Sequence, residues 1–108
     1  MRIELYVVKT KLAKDLTYMT YEEKKNSENL EKIKKRLCLE YGGLTVIPSC
    51  TGYWIDCENL ETDSVEIWVI LTKSKDQYSI VESYAREICK ITDQKAQLFT
   101  IDNEPYLI

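Results

Sequence analysis

At 108 residues, 44% hydrophobic and 31% charged, the chain has the size and composition of one globular domain with a modest core. No apolar run reaches the length of a membrane span, and Met-Arg-Ile-Glu-Leu lacks the uncharged core of a signal peptide, so a cytoplasmic location is expected. The net charge is −3 and there is no histidine, which leaves any acid–base chemistry to carboxylates, tyrosines or a thiolate.

Charge is unevenly distributed. Residues 9–36 hold nine basic and five acidic side chains, whereas residues 37–108 hold five basic and twelve acidic ones. A basic N-terminal third could meet nucleic acid or an acidic partner. Lysines alternating with glutamates also describe the solvated side of a helix, and that is the simpler reading.

In chain order, Arg2 to Val8 reads as a strand with Ile3, Leu5 and Val7 on one side and Glu4, Tyr6 and Val8 on the other. Residues 9–20 show no clean period and read as a long connection. Thr20 with Glu23 offers a capping box for a first helix, and Asn26-Ser27 a later start. Leu30, Ile33, Leu37 and Tyr41 then recur at helical spacing. Gly42 is expected to close that helix in a left-handed conformation, with Gly43 turning the chain into a strand over 44–47 that Pro48 ends or confines to an edge. A phosphate loop is excluded because the glycine pair follows a helix instead of preceding one.

Residues 49–64 read as loop and short strand, with Tyr53-Trp54-Ile55 as the ordered piece and the acidic residues at a solvated hairpin tip. Those acids lack the order of a calcium loop, and no metal or cofactor is expected. Val65 to Thr72 is the strongest predicted strand. Ser74 with Gln77 suggests a second capping box, followed by a helix to about Ile91 buried through Val81, Tyr84, Ala85 and Ile88. A strand over 96–101, an Asp-Asn-Glu-Pro turn and an apolar Tyr106-Leu107-Ile108 complete the chain.

The four cysteines, at 38, 50, 57 and 89, have no metal-ligand spacing. Cys38 and Cys89 are expected as buried free thiols, while Cys50 and Cys57 could meet across a turn as a disulfide.

The order strand, helix, strand, strand, helix, strand predicts an α+β, ferredoxin-like β-α-β-β-α-β domain over residues 1–108, with two helices on one face of a four-stranded antiparallel sheet. From Leu37 to Asp102 the chain also resembles small ferredoxin-like families of unassigned activity. The shared pattern is Gly42-Gly43-Leu44-Thr45, Gly52-Tyr53-Trp54, the aliphatic run Val65 to Leu71, and Gln94. The resemblance implies the fold and carries no site.

With Ile3, Leu5, Val7, Val65, Ile67, Val69 and Leu71 under the helices, the open face would carry Tyr6, Val8, Trp68 and Ile70. Such an apolar patch is an interface for a homodimer or another protein partner. The alternative is that Tyr106-Leu107-Ile108, or the connection after the first strand, covers it. Tyr6 and Trp68 could instead stack nucleic-acid bases, but the acidic balance argues against that partner. Glu4 and Glu66, with Tyr53 and Trp54, are candidate ligand-facing residues. The two glutamates on adjacent strands would raise one carboxyl pKa and suit a small enzyme, although no nucleophile or metal triad accompanies them. The favoured expectation is therefore a non-catalytic, self-associating protein.

Overall fold

The computed structural model describes residues 1–9 and 21–108. Its elements are β1 (Arg2–Val8), α1 (Tyr21–Tyr41), β2 (Thr45–Asp56), β3 (Asn59–Leu71), α2 (Tyr78–Ile91), β4 (Leu98–Ile101) and β5 (Glu104–Leu107). All strands pair antiparallel in one sheet of order β2-β3-β1-β4-β5. The first four strands and two helices follow the ferredoxin-like order, and β5 adds a fifth strand beyond β4. Among the described residues no helix is long and apolar enough to cross a membrane.

Both helices lie on one side of the sheet because each buries one apolar stripe. Ile33 and Leu37 from α1, with Val81, Tyr84, Ala85 and Ile88 from α2, join Ile3, Leu5, Val7, Trp68, Ile70 and Phe99 in one core. Leu30 and Tyr41 pack at its margin, as their spacing predicts. α1 already covers Asn26 and Ser27, so they do not start it. The proposed cap at Thr20 and the connection over 10–20 lie outside the described residues. Gly42 ends α1 at φ +85, where its N–H donates to Cys38 O at 2.8 Å. A residue with a Cβ pays a steric cost in that conformation.

At α2 the expected capping box does not form. The helix begins at Tyr78 with Gln77 as its N-cap residue and no side-chain capping bond. Gln77 is occupied elsewhere, accepting from Tyr41 Oη at 2.8 Å and so tying the end of α1 to the start of α2.

The strand after Gly43 does not stop at Pro48. A bulge lets β2 continue to Asp56: Ile47 stands opposite Ile67, Cys50 opposite Val65, and Pro48 and Ser49 together face Glu66. Ser49 takes φ 60, and Pro48 is tolerated because β2 is an edge strand. The expected loop and short strand with a hairpin tip is thus a hairpin paired along its whole length. It closes through Cys57 and Glu58, both at positive φ, a two-residue turn of the twist-matching kind. Asp102 and Asn103 make the corresponding turn between β4 and β5, also at positive φ. Tyr106 on β5 stacks on Phe99 with centroids 5.3 Å apart and meets Tyr78 edge-on at 4.9 Å. The C-terminal segment therefore extends the sheet at its edge and does not fold across the open face.

Candidate functional site

The register between β1 and β3 decides which residues are available to a partner. Leu5 is opposite Trp68, Ile3 opposite Ile70 and Val7 opposite Glu66. Directly opposed residues point to the same side of a sheet. Trp68 and Ile70 therefore lie under the helices, at 0% and 1% exposure. This corrects the expected open-face group of Tyr6, Val8, Trp68 and Ile70. Only Tyr6 and Val8 are on the open face, where they stand opposite Ile67 and Val65. The expected stacking platform of Tyr6 with Trp68 is not formed either, since the two rings are on opposite sides.

Trp68 is accepted on the core side because its polar atom is satisfied. Its Nε1 donates to Glu66 Oε1 at 3.1 Å, and Lys34 Nζ sits 5.3 Å from its ring centroid. Glu66 is buried too, and Lys9 Nζ at 3.1 Å and Lys34 Nζ at 3.7 Å balance its charge. Burial pushes this carboxyl upward, but the bonds from Trp68 and Lys9 and the charge of Lys34 outweigh it and hold the pKa below the usual glutamate value. Glu4 lies on the opposite face, accepting from Thr100 Oγ1 at 2.9 Å and paired with Arg2 at 3.5 Å. The two glutamates therefore do not share a site, and the repulsion expected between them is absent.

The open face is apolar at its centre with a different membership. Tyr6 and Val8 on β1 adjoin Val65, Ile67 and Val69 on β3. Ile47 and Cys50 of β2 border them on one side. Leu98 of β4, with its partner Leu107 of β5, borders them on the other. Ile47, Leu98 and Leu107 are 40%, 38% and 71% exposed. The Tyr6 phenol is shifted up, first by burial and then by the nearby Glu4 carboxylate. Leu98 lies in the strand predicted over 96–101, whereas Leu107 joins this surface only because β5 pairs with β4. Any cover contributed by the connection over 10–20 lies outside the described residues.

Beyond Val8 the sheet narrows to a two-stranded arm, residues 51–64. Pairing puts Trp54 opposite Glu61 on one side and Tyr53 opposite Thr62, with Ile55 opposite Leu60, on the other. Tyr53 and Trp54 thus point in opposite directions, both well exposed at 68% and 46%. Cys50 and Cys57 sit at opposite ends of the arm's β2 edge, too far apart for a disulfide, and all four cysteines are free thiols. Cys38 is exposed and Cys89 half-buried, with its thiol donating to Gln94 O at 3.1 Å. The expectation of two buried thiols is therefore corrected. Among the described residues, carboxylates and thiols do not gather in threes where they could hold a metal ion. A small hollow is lined by Lys9, Glu23, Ser27, Leu30, Glu31, Lys34 and Glu66, in whose wall Lys34 pairs with both Glu31 and Glu66 and Lys9 with Glu66.

No family model matches the chain, and no curated protein matches it. Among solved structures it is similar to a phage SAM lyase in complex with S-methyl-5′-thioadenosine, at 15% identity and a TM-score of 0.64, covering 99% of this chain and 87% of the other. It is also similar to the divalent cation tolerance protein CutA1 from Thermus thermophilus, at 12% identity and a TM-score of 0.53, covering 100% and 82%. At these identities the likeness is one of fold: two helices packed on one side of an antiparallel sheet.

Proposed function

We propose that this protein works by self-association through the open face of its sheet. The observation that carries this reading is the composition of that face on the two central strands. It presents Tyr6, Val8, Val65 and Ile67 beside the more deeply set Val69, with the Arg2–Glu4 pair at one end. Solvated sheet faces alternate apolar-in and polar-out, and this one does not. A stable interface takes roughly 800 Å² from each partner, the scale of one small sheet face. Sedimentation of the wild type against Ile47→Glu and Leu98→Glu tests it, with circular dichroism to confirm folding. The wild type should associate at micromolar concentration, and a folded variant should be shifted at least about tenfold toward monomer. A wild type that stays monomeric at every concentration sinks the reading.

A second reading is an enzyme or binding protein for a sulfonium compound. It draws on the likeness to the phage lyase and on one feature of this chain, the Trp54–Glu61 pair. An aromatic face beside a carboxylate is suited to an onium cation. Titration calorimetry with SAM and with S-methyl-5′-thioadenosine, on wild type and Trp54→Ala, separates this reading from assembly alone. Absence of heat with both compounds removes it.

A further inference from the structure

The edges of a sheet present unpaired backbone donors and acceptors, and most edges of this one are blunted. β5 is short and contains Pro105. Gln97 N–H donates to Ile108 O at 2.9 Å and Ile108 N–H to Gln97 O at 3.1 Å. Bonded and non-bonded pairs alternate from there, so Pro105 falls at a non-bonded pair and turns its ring nitrogen, which has no hydrogen, to the outer edge. The near part of β2 is interrupted by the bulge at Pro48-Ser49, and along the arm β3 carries Glu61 and Asp63. The stretch from Cys50 to Ile55 on β2 has none of these devices, being free of charge, proline and bulge. Among the described residues no strand lies beyond it.

The same alternation says which groups this edge offers. The two-residue turn at Cys57-Glu58 makes Asp56 and Asn59 the bonded pair beside it. Trp54 and Gly52 then bond to β3, while Thr51, Tyr53 and Ile55 direct their N–H and C=O groups away from it. Tyr53 and Ile55 are 68% and 67% exposed, and neither joins the core. A two-stranded ribbon is marginal in water, and further strands at its edge stabilise it.

The run fits a second copy of itself. Laid antiparallel about its middle residue, Tyr53 meets its own counterpart and Thr51 meets the partner's Ile55, all as bonded pairs. On the other side Trp54 meets the partner's Gly52, where the missing side chain leaves bare backbone for the indole. Asp56, the charge on this part of β2, meets the partner's Cys50. The β3 edge of the arm does not fit itself in this way. Centred on Thr62, it sets Glu61 against the partner's Asp63, and like charges directly opposed are destabilising. Charge therefore selects the β2 edge and keeps the β3 edge out of the contact.

We infer that two copies join edge to edge through Cys50–Asp56 of β2, antiparallel about Tyr53, so that both arms form one continuous sheet. The contact is isologous. It uses the backbone of the arm and is separate from the open face.

Cross-linking reads the register. The parent carries Ile47→Glu, which disables the open face, and serine at all four free cysteines. In it, Tyr53→Cys sets two thiols on opposed residues about 5.5 Å apart at Cα, inside the span of a disulfide. On oxidation it should form covalent dimer at least about tenfold faster than Ile55→Cys, whose counterpart lies roughly 14 Å along the strand. An equimolar mixture of Thr51→Cys and Ile55→Cys should join as the mixed dimer. Equal rates for Tyr53→Cys and Ile55→Cys, or no mixed dimer, would overturn the inference. With the native cysteines restored, Thr51→Pro removes an outward N–H without breaking a bond to β3. Sedimentation should show it associating at least about tenfold more weakly than Ile47→Glu alone, with circular dichroism unchanged. An Ile47→Glu parent that is monomeric, or a Thr51→Pro variant that associates like it, overturns the inference equally. Association that vanishes on Ile47→Glu supports the open face and not this contact; association that survives Ile47→Glu and fails on Thr51→Pro supports this contact.

Discussion

Replacing Trp68 gives a sharp test of the register. The side chain is fully buried between Leu5 on β1 and Val46 on β2, directly opposite both, and its indole N–H is bonded to a buried carboxylate. Truncating a large core aromatic to alanine costs about 3–5 kcal/mol through lost transfer energy and the cavity left behind. Here Glu66 also loses a donor in a dry setting, so Trp68→Ala should fall at the upper end of that range. Against a total of about 5–15 kcal/mol for a domain, this brings the fold close to its limit. Trp68→Phe keeps most of the packing and removes the N–H, and should cost about 1–3 kcal/mol. Urea denaturation followed by circular dichroism measures both, with a constant slope showing that the unfolded state is unchanged. If Trp68 instead faced a partner, Trp68→Ala would leave the monomer's stability untouched and alter only association. A loss below about 1 kcal/mol at constant slope would therefore refute the core placement.

Two further outcomes follow from single residues. Gly42→Ala should destabilise by about 1 kcal/mol because φ is +85 there, while Gly43→Ala, with nothing within 4 Å of a new Cβ and no positive φ, should be neutral or slightly stabilising; thermal melts of the two compare them directly. For Glu66, the folded-state pKa is lowered, so the ionised carboxylate contributes stability that is complete above the unfolded value, about 4.3, and is lost as pH falls through the folded one. Glu66→Gln should consequently lower stability by about 1.5–3 kcal/mol at neutral pH and by progressively less as the pH drops below about 4, as read from denaturation at several pH values.

Much of the fold was legible in the sequence because periodicity and turn chemistry agreed. Leu30, Ile33, Leu37 and Tyr41 announced α1, Gly42 its end, and Val81, Tyr84, Ala85 and Ile88 the buried side of α2. What misled was Val65 to Leu71, which is apolar on both sides except for Glu66. Such a strand fits either way up, and a one-residue slip exchanges its faces. The single charge suggested that its side was solvated. Two long-range partners, Lys9 and Lys34, together with Trp68 two residues along the strand, make the opposite true, and ion pairs set by the folded chain leave no local mark. The length of the arm was missed for a related reason. Its turn at Cys57-Glu58 contains no glycine, and Pro48 and Ser49 read as a stop where the chain makes a bulge. Hence the candidate surface was recognised in kind, an apolar open sheet, but half its residues were assigned to the wrong side.

The extra residue at Pro48-Ser49 is absorbed where it stands, so that Ile47 and Cys50 keep to one side of the sheet. With two residues set against Glu66, Tyr53 and Ile55 fall on the same side as Leu60, and Trp54 falls beside Glu61. Remove one of them and the ladder becomes regular: a single residue then faces Glu66, while Cys50 stays opposite Val65, Tyr53 opposite Thr62 and Trp54 opposite Glu61. The division of apolar from acidic side chains along the hairpin thus rests on the pairing from Cys50 to the turn, and a deletion at the bulge would straighten β2 while leaving both sides of the arm as they are.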